Sequence, residues 1–181
     1  MTQTAPINPD PRRVWRFDPA YSTVEFVVRN LWYNVKGHFT EVEGVIVLDE
    51  DDIRRSSVTA TIKARSIDTG NKQRDTHLQS ADFFDVQKYP DIEFKSVRVE
   101  RGKDRDSLDV NGNLTVKGKS VPIALAVNYM DRSRSPNGEE FIYYSATTQL
   151  DRYAFGITYG PGIVGRHLKV MINVQASNTH R

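Results

Sequence analysis

The strongest constraint on this chain is a hydrophobic period of two. Val24, Phe26 and Val28 alternate with Glu25 and Arg29. Val58, Ala60, Ile62 and Ala64 alternate with Thr59, Thr61, Lys63 and Arg65. Leu108, Val110, Gly112, Leu114 and Val116 alternate with Asp109, Asn111, Asn113 and Thr115. Val121, Ile123, Leu125, Val127 and Tyr129 form a fourth set, and Leu168, Val170, Ile172, Val174 and Ala176 a fifth. Each run reads as a strand with one dry and one wet face. Segments around Val14–Asp18, Lys36–Leu48, Ile92–Val99 and Phe141–Leu150 bring the total to eight or nine strands.

The punctuation between strands is short. Asp49-Glu50-Asp51-Asp52, Gly102-Lys103-Asp104, Lys117-Gly118-Lys119 and Ser135-Pro136-Asn137-Gly138 read as turns. Two interruptions are longer. Asp68 to Pro90 opens on the capping residues Asp68 and Thr69 and suits a short helix between Asn71 and Ser80. Arg152 to Arg166 is glycine-rich. Hairpin-linked strands without βαβ alternation mean an all-β fold, an antiparallel sandwich or barrel. Strands of this length favour the barrel, which leaves no edge exposed. At eight strands its interior is filled by side chains or holds one small ligand.

With 181 residues the chain fits one domain. We expect an arm over residues 1–13, a barrel domain over 14–177 and a tail over 178–181. The absence of cysteine excludes a disulfide scaffold, a thiol nucleophile and thiolate-held metal. A formal charge of +2 lacks the basic footprint of a nucleic-acid protein. No window approaches the run of about 18 apolar residues that an integral membrane span needs. Residues 1–13 hold no apolar run of a secretory leader, so the expected compartment is cytoplasmic.

The letters of other chemistries occur out of context. Gly160-Pro161-Gly162-Ile163-Val164-Gly165 spells G-x-G-x-x-G, but a strand follows where a phosphate-binding helix should. His38, His77, His167 and His180 show no metal-ligand spacing, so no metal or other cofactor is expected. The acidic run Asp49–Asp52 lacks calcium-loop spacing and reads as a solvated turn. In Arg74-Asp75-Thr76-His77-Leu78, His77 is a conceivable base, yet adjacent residues do not face one another on a helix. The structural reading puts Leu78 in the core, with Arg74 or Asp75 tying the helix to the barrel.

Several motifs taken together resemble the YceI-like family. Phe17-Asp18-Pro19, Ser22, Val24, Phe26 and Val28, then Val35, Gly37 and Phe39, are similar to its opening. Ser66-Ile67-Asp68-Thr69, Arg74-Asp75, His77-Leu78, Phe83-Phe84-Asp85, Tyr89-Pro90, and Ile92, Phe94 and Ser96 continue the likeness. Gly112 to Gly118, and Asp151-Arg152 with Phe155-Gly156-Ile157, complete it over about Trp15 to Ala176. Tyr21 departs from it, standing where the family has histidine before Ser22. The resemblance implies a lipocalin-like antiparallel eight-stranded β-barrel with one short helix inserted. It also implies a non-enzymatic protein, often a homodimer, that binds a polyisoprenoid, an isoprenoid quinone or a similar long-chain amphiphile inside the barrel.

Aromatic and aliphatic side chains supply the expected lining: Phe26, Val28, Trp32, Phe39, Ile62, Phe94, Leu114 and Val116, with Phe83, Phe84 and Phe155 at the mouth. Arg74 and His77 are the candidate headgroup contacts. Two other readings use the same residues: a lipid isomerase with His77 as base, and an interaction module with a filled core.

Overall fold

The computed structural model describes residues 11–178. Eleven strands account for the period-two runs. They are β1 (Arg13–Phe17), β2 (Thr23–Asn30), β3 (Asn34–Phe39), β4 (Val42–Leu48), β5 (Ser57–Lys63), β6 (Ile67–Asp68), β7 (Asp91–Arg101), β8 (Ser107–Val116), β9 (Lys119–Arg134), β10 (Glu140–Asp151) and β11 (Val164–Asn178). Hydrogen bonding runs β1–β4–β5–β7–β8–β9–β10–β11 and returns to β1, an antiparallel barrel closed with eight strands. Beyond β1, β11 pairs with β2; β2 pairs with β3, and β3 with β6. The expected arm lies outside the described residues except for residues 11–13, and Arg13 already opens β1. Of the expected tail, Asn178 closes β11, and the rest lies outside them.

The stretch read as one strand, Lys36–Leu48, is two. It breaks at Thr40 and Glu41, whose backbone amides donate to the Ser66 carbonyl and to Ser66 Oγ. The same corner bends the neighbouring strand between β5 and β6. Only a tertiary partner sets that bend, and the hydrophobic pattern passes straight through it.

The helix α1 (Lys72–Gln79) falls between Asn71 and Ser80 as expected, but its cap is Asn71 rather than Asp68 or Thr69. Asn71 Oδ1 accepts from the Arg74 amide at 3.0 Å. Asp75 and Arg74 both grip Thr69, at the end of β6. Asp75 accepts from the Thr69 amide at 3.0 Å and its hydroxyl at 2.6 Å, and Arg74 donates to Thr69 Oγ1 and the Thr69 carbonyl. No helix among the described residues is long and apolar enough to cross a membrane.

The acidic turn is not simply solvated. Asp49 is fully buried; its carboxylate accepts from the Asp51 and Asp52 amides and faces Arg55 at 3.3 Å.

The two ends of the barrel differ. At one end Trp15, Leu48, Ile142, Val174 and Ala176 pack into a buried cluster, with Trp15 and Ala176 at zero exposure. The guanidinium groups of Arg13 and Arg132 lie 5.1 and 5.4 Å from the Trp15 ring centre. Arg13, Arg132 and Arg134 all converge on Glu140. At the other end the closure is made by α1, residues 80–90 and residues 152–163.

An apolar channel through the barrel

The inward faces of the strands enclose a cavity of about 280 Å³ whose surface is almost wholly apolar. It is lined from Leu48, Ile53 and Val58 near the packed end to Leu78, Phe83 and Phe155 at the helix end. On β11 the lining runs from Val164 to Val174. Ten residues at about 3.3 Å each, tilted as in closed barrels, give a height of roughly 25 Å. Spread over that height, the volume is a thin channel, not a chamber. It lies just below the range of about 300–1,000 Å³ usual for small-molecule sites.

Two glycines explain how bulky rings leave a lumen at all. Gly37 on β3 pairs with Phe26, and a Cβ there would stand 2.4 Å from the Phe26 ring. A Cβ on Gly112 of β8 would stand 2.6 Å from the Phe94 ring and 2.5 Å from the Lys95 carbonyl oxygen. The far edge of each ring therefore occupies the space that a side chain on the neighbouring strand would fill. A glycine in a strand interior weakens the strand, and close approach of another group is a common reason for its presence.

The expected lining residues Phe26, Val28, Phe39, Ile62, Phe83, Phe84, Phe94, Leu114, Val116 and Phe155 all border this cavity. Phe26, Phe39 and Phe84 form a relay of rings with centroids 5.9 and 5.8 Å apart. Trp32 does not join them. It sits in the β2–β3 turn, 86% exposed. Neither Arg74 nor His77 borders the cavity. Arg74 is committed to Thr69. His77 Nε2 lies 2.8 Å from Asp82 Oδ2, and its ring meets the edges of Phe83 and Tyr159 at 5.1 and 4.8 Å. The carboxylate that orients His77 is thus Asp82, beyond the helix, rather than its neighbour Asp75. The His77–Asp82 pair stands at the rim, partly in solvent.

Arg152 and Tyr144 are lining residues that escape a reading for apolar side chains. Arg152 is 5% exposed; its guanidinium donates to the carbonyls of Gly165, Ile157 and Val164 at 2.8–2.9 Å. It pins residues 152–165 across the helix end of the channel, and burial pulls its pKa below the ordinary arginine value. The preceding Asp151 is held down at about 2 by its bonds from Arg166. Tyr144 on β10 also faces the lumen, where burial pushes its phenol up to about 12, so it is neutral at any physiological pH. The signal for Arg152 is its place in a glycine-rich loop, where a long donor can gather carbonyls no sheet satisfies.

The comparisons with known proteins agree with this architecture. The family model for the YceI-like domain matches residues 15–176. Protein YceI of Salmonella arizonae is 31% identical over 156 residues, covering 86% of this chain and 81% of the relative. Among solved structures, BcnA of Burkholderia cenocepacia superposes with a TM-score of 0.79 at 22% identity, over 88% of this chain and 98% of that one. A polyisoprenoid-binding domain from Saccharophagus degradans superposes with a TM-score of 0.69 at 13% identity, over 93% and 99%.

Proposed function

The chain belongs to the YceI-like family, and on that footing we propose that its barrel holds a long-chain amphiphile, an isoprenoid lipid or isoprenoid quinone, in the apolar channel. The observation that carries this reading is the channel itself: dry walls, small width, and a length of most of the barrel. Apolar surface exposed to water costs roughly 25 cal/mol per Å². A lumen of this shape removes that cost for one extended chain and excludes a bulky rigid ligand. The Saccharophagus degradans domain of the same fold is described as polyisoprenoid-binding, which supports the choice of ligand class.

The role is retention, for transport, storage or sequestration, and it requires no chemistry from the walls. A filled-core module has no use for such a channel. An isomerase would need its base beside the lumen, whereas His77 stands outside the lining, paired with Asp82.

Native mass spectrometry of protein purified without denaturant or detergent tests the reading. The expected result is a bound hydrophobic species that solvent extraction releases as an isoprenoid. Empty protein that also fails to retain an added polyprenol or quinone would overturn it.

A further inference from the structure

The helix end of the barrel carries an apolar patch that the channel does not use. Asn30 and Tyr33 close the β2–β3 turn with a backbone hydrogen bond of 2.7 Å. The three residues at its tip, Leu31, Trp32 and Tyr33, are all exposed. Antiparallel pairing of Val164 with Asn30 brings Ile163 to the level of Leu31, and Ile163 is exposed as well. Tyr159, from the same loop, is also partly exposed but packs against Phe83 and His77. Single exposed apolar residues need no explanation, but a contiguous group marks a surface that meets something.

Beneath the tip lies a basic face. Phe26 and Val28 turn inward, so Arg29 turns outward. Lys36, opposite Val27 on one side, and Lys169, opposite Val27 on the other, share that outer face. None of the three cations forms an ion pair among the described residues. The one carboxylate on the outer face of β2, Glu25, is a further pair away from the tip, opposite His38. Asp151 is neutralised by Arg166, and Asp82 faces His77.

We propose that this end of the molecule docks on an anionic phospholipid bilayer, with Leu31, Trp32 and Tyr33 among the headgroups and Arg29, Lys36 and Lys169 facing lipid phosphates. Tryptophan and tyrosine are the side chains that concentrate at the membrane–water interface. Basic groups just behind them add attraction to an anionic leaflet. The patch is also continuous with the channel, since Val164, next to Ile163, lines it. Docking here sets the channel's helix end against the bilayer, whatever the cargo is.

The chain provides its own probe. Of its two tryptophans, Trp15 is fully buried and Trp32 is 86% exposed. A blue shift of emission on adding vesicles therefore reports Trp32. The full chain is mixed with vesicles of phosphatidylcholine alone, or of equal parts phosphatidylcholine and phosphatidylglycerol, and followed by emission and co-sedimentation. The expected result is a blue shift and sedimentation with the anionic vesicles, weakened by salt. Leu31→Ser with Trp32→Ser abolishes sedimentation at unchanged melting temperature. Lys36→Gln with Lys169→Gln lowers binding to anionic vesicles about 25-fold, at roughly fivefold per cation. In the wild type, brominated lipids quench Trp32, a readout that needs no variant. Unchanged emission with both vesicle types overturns the proposal. So does a blue shift that grows with protein concentration in the absence of vesicles, because a second copy would then cover the tip. Native mass spectrometry of the channel's contents is a separate readout, so failure to dock and failure to carry lipid are told apart.

Discussion

Leu114→Glu tests the dryness of the channel directly. Leu114 sits on β8 between Phe94 and Val121, borders the cavity and is 8% exposed. A carboxylate there meets apolar walls and takes up a proton rather than remain charged. The charge-dependent part of the penalty at pH 7 is then capped by the cost of protonation. From an ordinary glutamate value of about 4.3 the gap is roughly 2.7 pH units, which at about 1.36 kcal/mol each comes to about 3.7 kcal/mol. That is less than the roughly 5–15 kcal/mol of a typical domain, so the variant folds. For a chain of this size it lowers Tm by about 7–15 °C at pH 7. The folded-state pKa is raised, so the penalty is full near neutral pH and fades as pH falls toward the unfolded value. Melting followed by circular dichroism at pH 7 and pH 4.5 should show the difference from wild type shrink by most of its size. Native mass spectrometry of the same variant should find the channel without lipid. A Tm difference equal at both pH values would mean that the carboxylate is solvated and the lumen wet. Wild-type lipid occupancy would mean that residue 114 does not face the cargo.

Gly37→Ala drives the Phe26 ring off its seat and into the lumen; we expect a loss of about 1–3 kcal/mol by denaturant melting and a larger loss of lipid occupancy. Arg74→Ala leaves the Thr69 carbonyl without its donor and should cost about 1–3 kcal/mol of stability. Lipid affinity should stay as it was, and lost binding at an unchanged Tm would assign Arg74 to a headgroup instead. The Glu140 carboxyl is held at about 2, below its ordinary 4.5, by hydrogen bonds from Arg134 and Arg13. Its contribution is present above pH 4.5 and lost as pH falls toward 2. Glu140→Gln should therefore flatten this part of the acid-unfolding curve, and an unchanged curve would show that the arginines do not stabilise the packed end.

The inward set was legible because a strand's side chains alternate strictly. Once Phe26 and Val28 are placed in a wall, Val24 and the facing positions of β8 follow. Trp32 broke the reading because an aromatic residue carries the same hydrophobic weight in a turn as in a strand. Only the hydrogen bond between Asn30 and Tyr33 shows where β2 stops. Arg152 was hidden for the opposite reason. A charge reads as surface until three backbone carbonyls are found to surround it. The packed end was not legible because Trp15, Leu48, Ile142 and Val174 lie far apart in sequence and meet only when the barrel closes.

The last strand has a consequence for how the protein is made. β11 pairs with β10 along its length, with β1 at its far end and with β2 over the rest. During synthesis the ring stays open until Asn178 has left the ribosome. Until then β10 and the β1–β2 side each present an unpaired edge, the kind of surface that recruits other strands. The nascent chain therefore has no enclosed lumen in which to take up an amphiphile, and ribosome-bound intermediates are the forms most exposed to aggregation. An enclosed lumen forms only once β11 has emerged and paired with β1 and β2, and a nonsense mutation early in β11 should remove the protein by proteolysis.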